Sequence, residues 1–216
     1  MRVHLSKHFP VFFSHCIGLF PPTFSECTMR SLCRYMHTAA VFILITLQHA
    51  WFLESRSSIT SPKRDWYIWK KPKFDADGNR QPPNNWAQLL GEANSAWTWD
   101  ETTQEYYLSL FTPEQPDLNW ENPAVRSAVH DILRFWLDRG ASGFRMDVIN
   151  LISKVQTFPD ADITVPSHTY QPADKYFANG PRMHEYLRGL RKEVLNKYDT
   201  ITVSKRPGDE LRSQKF

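Results

Sequence analysis

Cysteine is scarce in this chain and unevenly placed: Cys16, Cys27 and Cys33 are its three cysteines, and all fall within the first 47 residues. The rest of the chain therefore folds without a disulfide. Cys27, Cys33 and His37 do not have the paired-cysteine spacing of structural zinc sites, so no metal and no other cofactor is expected. There is no Asn-X-Ser/Thr sequon, no Gly-rich phosphate loop, no Gly-X-Ser-X-Gly elbow and no His-Glu-X-X-His pair. These absences exclude the common nucleotide-dependent, serine-hydrolase and zinc-protease chemistries. No internal repeat occurs. The apolar run from Ala39 to Leu47 is nine residues long, well short of the ~20 that span a bilayer. Neither it nor Val11 to Phe20 is followed by the small-residue cleavage site of a signal peptide. A cytoplasmic protein with no membrane partner is expected. A net charge of +3, without a basic stripe, gives no reason to expect nucleic acid as a partner.

What remains is an ordinary globular composition, 41% hydrophobic and 23% charged, which fits one or two domains. Its order is more informative. Asn122-Pro123 sets a capping side chain before a proline at the first helical position. Val125, Val129, Ile132, Leu133, Trp136 and Leu137 then recur at helical spacing until Gly140, which predicts a helix of about four turns. A two-residue loop leads into a strand. Downstream, Pro181 opens a second helix with Met183, Leu187, Leu190 and Val194 on one face, and Thr200 to Val203 reads as a second strand. Helix, strand, helix, strand in this order predicts parallel β-structure with crossover helices. Between them, Leu151 to Ala178, with Pro159, Pro166 and Pro172, reads as a long irregular segment, either an active-site loop or a flexible connection.

The first of these strands carries the chemistry. In Gly143-Phe144-Arg145-Met146-Asp147-Val148 the alternation points Phe144, Met146 and Val148 to one face and Arg145 and Asp147 to the other. A carboxylate at the C-terminal end of a strand, held beside a guanidinium, is aimed as a nucleophile must be. A purely structural Arg–Asp pair has the same pattern.

Gly143 through Asn150 resembles the second short sequence signature of glycoside hydrolase family thirteen, in its α-glucosidase and oligo-1,6-glucosidase branch. Gln48-His49-Ala50-Trp51-Phe52, Arg64 to Trp69, Pro83-Asn84-Asn85-Trp86 and Tyr106 to Phe111 look like that branch's inserted subdomain. Gln115-Pro116-Asp117-Leu118-Asn119-Trp120-Glu121-Asn122-Pro123 is the most specific stretch, and Phe177 to Leu187 extends the likeness. The resemblance covers about residues 48 to 203. It implies an α/β fold, a fragment of a (β/α)8 barrel with an inserted subdomain. The expected organisation is a family-unlike segment over 1–47, the inserted subdomain over 48–120, a partial catalytic barrel over 121–203 and a family-unlike tail over 204–216.

By resemblance, Asp147 is the nucleophile of a retaining α-glucosidase, and Arg145 orients it. Phe111 and Gln115 match positions that line the glucose pocket, and Val148 matches the residue found with α-1,6 preference. The implied partner is an α-linked gluco-oligosaccharide of isomaltose or maltose type.

The chain departs from the family at both ends of the likeness. Retaining cleavage needs a second carboxyl group about 5–5.5 Å from the first. The family supplies it in a Thr-Val-Gly-Glu context, whereas this chain reads Thr202-Val203-Ser204-Lys205. Glu210, in a polar tail, is not a substitute. Before Gln48 the family's Asn-His-Thr-Ser-Asp run is replaced by Ile43-Leu44-Ile45-Thr46-Leu47. A complete barrel takes about 250 residues. The expectation is therefore a truncated or misjoined polypeptide, incomplete as a barrel and without a general acid. Two alternatives are a non-catalytic sugar-binding remnant and a relative of transporter accessory subunits.

Overall fold

The computed structural model describes residues 49–205. Gln48, the cysteines, His37, the apolar run to Leu47 and the tail with Glu210 lie outside the described residues.

Helix α1 (Ala50–Ser55) starts at His49, whose Nδ1 accepts a hydrogen bond from the Trp51 amide at 3.2 Å. Phe52, fully buried, meets the rings of Tyr67 and Tyr107 at 5.0 Å each, so this short helix is held by aromatic edges rather than by its own length. Tyr107 lies on the central strand of a three-stranded antiparallel sheet, in the order β1 (Trp69–Lys70), β7 (Glu105–Leu108), β6 (Trp97–Asp100). The aromatic and β-branched residues Trp97, Thr98, Trp99, Tyr106 and Tyr107 suit that pleated surface. Arg64 is clamped beside the sheet, its guanidinium 3.5 Å from the Trp69 ring and 2.5 Å from Glu105. Two small antiparallel ribbons flank it: β2 (Lys73–Phe74) with β3 (Arg80–Gln81), and β4 (Ala87–Gln88) with β5 (Gly91–Ser95).

The α/β part follows. Asn122 caps α2 (Pro123–Leu137) by accepting from the Ala124 amide at 2.8 Å. Gly140, at φ +93°, takes the left-handed conformation that turns the chain after the helix. Strand β8 (Gly143–Asp147), the short helix α3 (Asp174–Phe177), helix α4 (Met183–Glu193) and strand β9 (Ile201–Lys205) complete the described chain. Strands β8 and β9 pair in parallel, with Gly143 opposite Ile201 and Asp147 opposite Lys205. A Cβ on Gly143 would sit 1.7 Å from the Ile201 carbonyl oxygen, so this close approach requires glycine. Leu133 and Leu137 of α2 and Leu190 and Val194 at the end of α4 pack with Phe144 of β8 as one core.

A second core joins Trp86, Trp97, Leu108 and Leu110 to Leu151, Phe158 and Phe177. The segment after β8 is thus packed, not a flexible connection. Asn84 Nδ2 donates to the Phe158 carbonyl at 3.1 Å, Asn85 Nδ2 to that of Ala161 at 2.9 Å, and Trp86 Nε1 to that of Pro159 at 2.8 Å. Gln171, 1% exposed, accepts from the Thr164 and Val165 amides at 2.9 Å each, which satisfies backbone groups that no ladder reaches.

Candidate active site

Strand β8 delivers its two charged side chains to one edge of the sheet. Phe144 and Met146 turn toward α2 and α4, and alternation sends Arg145 and Asp147 to the opposite face. There Arg145 Nη2 donates to Asp147 Oδ1 at 2.6 Å. Both side chains are about one-third exposed, at 34% and 31%. A single charge-assisted bond this open to water contributes at most about 1 kcal/mol to stability. Among the described residues, Asp147 Oδ2 has no protein donor. One oxygen is held and the other is free to react.

Val148 is where the alternation fails. Expected on the face of Phe144 and Met146, it packs instead against the aromatic core that holds Trp86 and Phe158. The cause is its backbone, left-handed at φ 46° and ψ 33°. This ends β8 at Asp147 and starts a 3-10 turn over Ile149–Leu151, with the Leu151 amide donating to the Val148 carbonyl at 2.9 Å. A β-branched residue in this region is strained by roughly 1–2 kcal/mol, and such strain gathers where a reactive group must be aimed.

Phe111 is half-buried and packs on the same core as Val148. Gln115 closes a turn: its amide donates to the Thr112 carbonyl at 2.9 Å, and its Oε1 accepts from Thr112 Oγ1 at 3.4 Å. The structure therefore joins Arg145 to Asp147 directly and Phe111 to Val148 through a shared core, while the Gln115 side chain bonds within its own turn.

What ties that turn to β8 is a residue that sequence reasoning passed over. Lys154, 3% exposed, donates to Asp117 Oδ1 at 2.9 Å and to the Leu151 carbonyl at 2.8 Å. Asp117 Oδ2 accepts from the Leu110 amide at 2.8 Å. One buried ion pair thus fixes the segment carrying Phe111 and Gln115 against the segment that follows Asp147. The signal available was a lysine set just after the apolar residues Leu151 and Ile152. Tyr107 adds a second tie, its O–H donating to the Pro113 carbonyl at 2.9 Å, and burial pushes its pKa up to about 12.

A sequence model of the α-amylase catalytic domain matches residues 36–215. The chain belongs to this family, glycoside hydrolase family thirteen. Within it, an α-glucosidase of Schizosaccharomyces pombe is 59% identical over 160 residues, 74% of this chain and 27% of that protein. An oligo-1,6-glucosidase of Parageobacillus thermoglucosidasius is 45% identical over 186 residues, 83% of this chain and 32% of that protein. Among solved structures, the trehalose-6-phosphate hydrolase of Bacillus licheniformis superposes with a TM-score of 0.67 at 40% identity, over 76% of this chain and 27% of that one. The family-thirteen chain described here spans about a quarter to a third of the length of these relatives. They are glycosidases, and the structural neighbours are barrel enzymes of this family. No helix among the described residues is long and apolar enough to cross a membrane, and no cluster of three or more metal-ligating side chains occurs among them.

Proposed function

We propose that this chain carries the nucleophile side of a retaining α-glucosidase site acting on α-linked gluco-oligosaccharides, with β8 and β9 as two adjacent strands of an incomplete barrel. The observation that carries this reading is the half-open Arg145–Asp147 pair at the C-terminal end of a parallel strand. That is where barrel enzymes place their chemistry. The pair is too exposed to serve stability, so orientation is the better account of it. Asp147 Oδ2 attacks the anomeric carbon, the aglycone oxygen leaves with the bonding pair, and water later hydrolyses the glucosyl ester. Arg145 fixes the carboxylate plane through Oδ1. Phe111 offers a ring to the sugar, Gln115 an amide to its hydroxyls, and Val148 an apolar wall beside the nucleophile.

A second carboxyl group must protonate the leaving oxygen. The register sets residue 205 beside residue 147, where the family's glutamate is expected, and residue 205 is lysine. This favours a second reading for the polypeptide as written: a non-catalytic product that keeps the sugar-binding side of the site.

An activated aryl α-glucoside separates the two, because its leaving group needs little acid assistance. No turnover is expected from this polypeptide. Turnover abolished by Asp147→Asn would overturn the non-catalytic reading and establish the nucleophile.

A further inference from the structure

A groove of about 520 Å³ opens beside the antiparallel sheet, bordered by residues of β3 to β7. Its lining includes neither Arg145 nor Asp147, but it includes Pro113, which lies between Phe111 and Gln115. Two polar groups at this groove lack partners. Gln88 is 5% exposed, and its amide makes no hydrogen bond among the described residues. Trp99 Nε1 is buried without an acceptor, although the Arg80 guanidinium covers the indole ring at 3.7 Å. Buried amides left unpaired are rare and point to an unseen hydrogen-bonding occupant.

The rest of the lining defines the occupant's chemistry. Asn94 supplies a second amide, Tyr170 an aromatic ring from the loop after β8, and no carboxylate is present. Arg80, the one cation, is already engaged on Trp99. Amides beside aromatic rings suit a neutral, hydroxyl-rich ligand: ring faces take its C–H surface and amides its hydroxyls. The volume falls within the range of about 300–1,000 Å³ for small-molecule sites.

We propose that this groove is a second glucan-binding site, distinct from the nucleophile, that holds glucosyl units of an α-linked oligosaccharide through the Gln88 amide. The α-linked class rests on the function proposed above. The groove itself does not.

The test is calorimetric titration of the full chain with isomaltotetraose, maltotetraose and cellotetraose. The parent is compared with Gln88→Leu, Tyr170→Ala and Asp147→Asn, each first checked by thermal melting. Removing a buried amide contact should weaken α-linked tetrasaccharide binding about tenfold or more in Gln88→Leu. Tyr170→Ala, at a half-exposed position, gives the same direction if Gln88→Leu does not fold. Asp147→Asn should leave the affinity unchanged. No binding by the parent, or full affinity in both groove variants, overturns the proposal. Affinity lost only in Asp147→Asn overturns the groove while supporting the proposed function. Groove-dependent binding of cellotetraose alone overturns the α-linked ligand class.

Discussion

Replacing Lys154 with methionine removes a charge that is 3% exposed and leaves Asp117, at 16%, facing apolar surroundings. The chain length of the side chain is kept, so the loss is electrostatic rather than a cavity. Asp117 retains one donor, the Leu110 amide at 2.8 Å, which limits but does not abolish the penalty. Breaking one side of a buried pair costs about 3–5 kcal/mol, and the remaining amide bond places the expectation near the lower figure. With a urea slope of about 2 kcal/mol/M, a 3 kcal/mol loss lowers the unfolding midpoint by about 1.5 M. The double variant Lys154→Met with Asp117→Asn removes both charges and keeps an acceptor for Leu110, so it should recover most of the loss. The cycle then gives a coupling energy of about 2 kcal/mol or more. The assay is urea unfolding followed by tryptophan fluorescence. A single-variant loss under about 1 kcal/mol, or additivity across the cycle, would refute the claim that this pair fastens the Phe111–Gln115 segment to the nucleophile loop.

Asn122→Ala removes the cap of α2 and should cost about 1 kcal/mol, a fall of about 3 °C in Tm measured by circular dichroism. Gly143→Ala drives a methyl group into the Ile201 carbonyl. It should destabilise by about 3 kcal/mol, and faster amide hydrogen exchange across β8 and β9 would locate the damage there. His130 is buried on α2, its Nε2 has no partner, and burial followed by the nearby Arg134 charge lowers its pKa below the ordinary 6.5. Because the folded value is the lower one, the unfolded chain takes up the proton first. Stability is therefore full above pH 6.5 and declines as pH falls toward the folded value. His130→Gln should flatten that decline in urea midpoints between pH 7.5 and 5.5, and an unchanged slope would exclude His130 as its source.

The α/β elements were legible because their signals are local. Asn122-Pro123 and Gly140 bracket α2, the apolar spacing from Met183 to Val194 marks α4, and alternation in Phe144 to Asp147 sets which charges share a face. The pairing of β8 with β9 followed from the order of these elements. The rest depends on contacts between residues distant in sequence. Ribbons of two residues, such as β2 with β3, carry too few positions for any period. Phe158, Pro159 and Ala161 are held by Asn84, Asn85 and Trp86, so a proline-bearing stretch that reads as irregular is in fact fixed. Lys154 and Asp117 each look like ordinary loop charges until packing brings them together. Val148 broke the alternation because a valine at positive φ goes against its own preference, and only its seat in the second core accounts for it.

The pairing of Asp147 with Lys205 turns the question of activity into one of residue identity. Adjacent strands lie about 4.8 Å apart. That is close to the separation of about 5–5.5 Å that a retaining carboxyl pair needs, and short of the 6.5–9.5 Å of an inverting one. The backbone thus puts position 205 at a retaining distance from Asp147. An ordinary lysine, with a pKa near 10.4, gives up its proton too reluctantly at neutral pH to assist a sugar leaving group. Nor can the ammonium then act as the base that activates water. Lys205→Glu, with Ser204→Gly beside it, restores the expected chemistry by two substitutions and leaves the Arg145–Asp147 pair untouched. General acid catalysis contributes about 10²–10⁴-fold, and the gain should appear mainly on isomaltose, whose leaving group is poor, and far less on an aryl α-glucoside. Glucose release from isomaltose, read by a coupled assay in parent and variant, checks this. Equal gains on both substrates would mean that the carboxyl acts elsewhere than on the leaving oxygen. No gain on either would mean that the missing acid is not what limits this polypeptide.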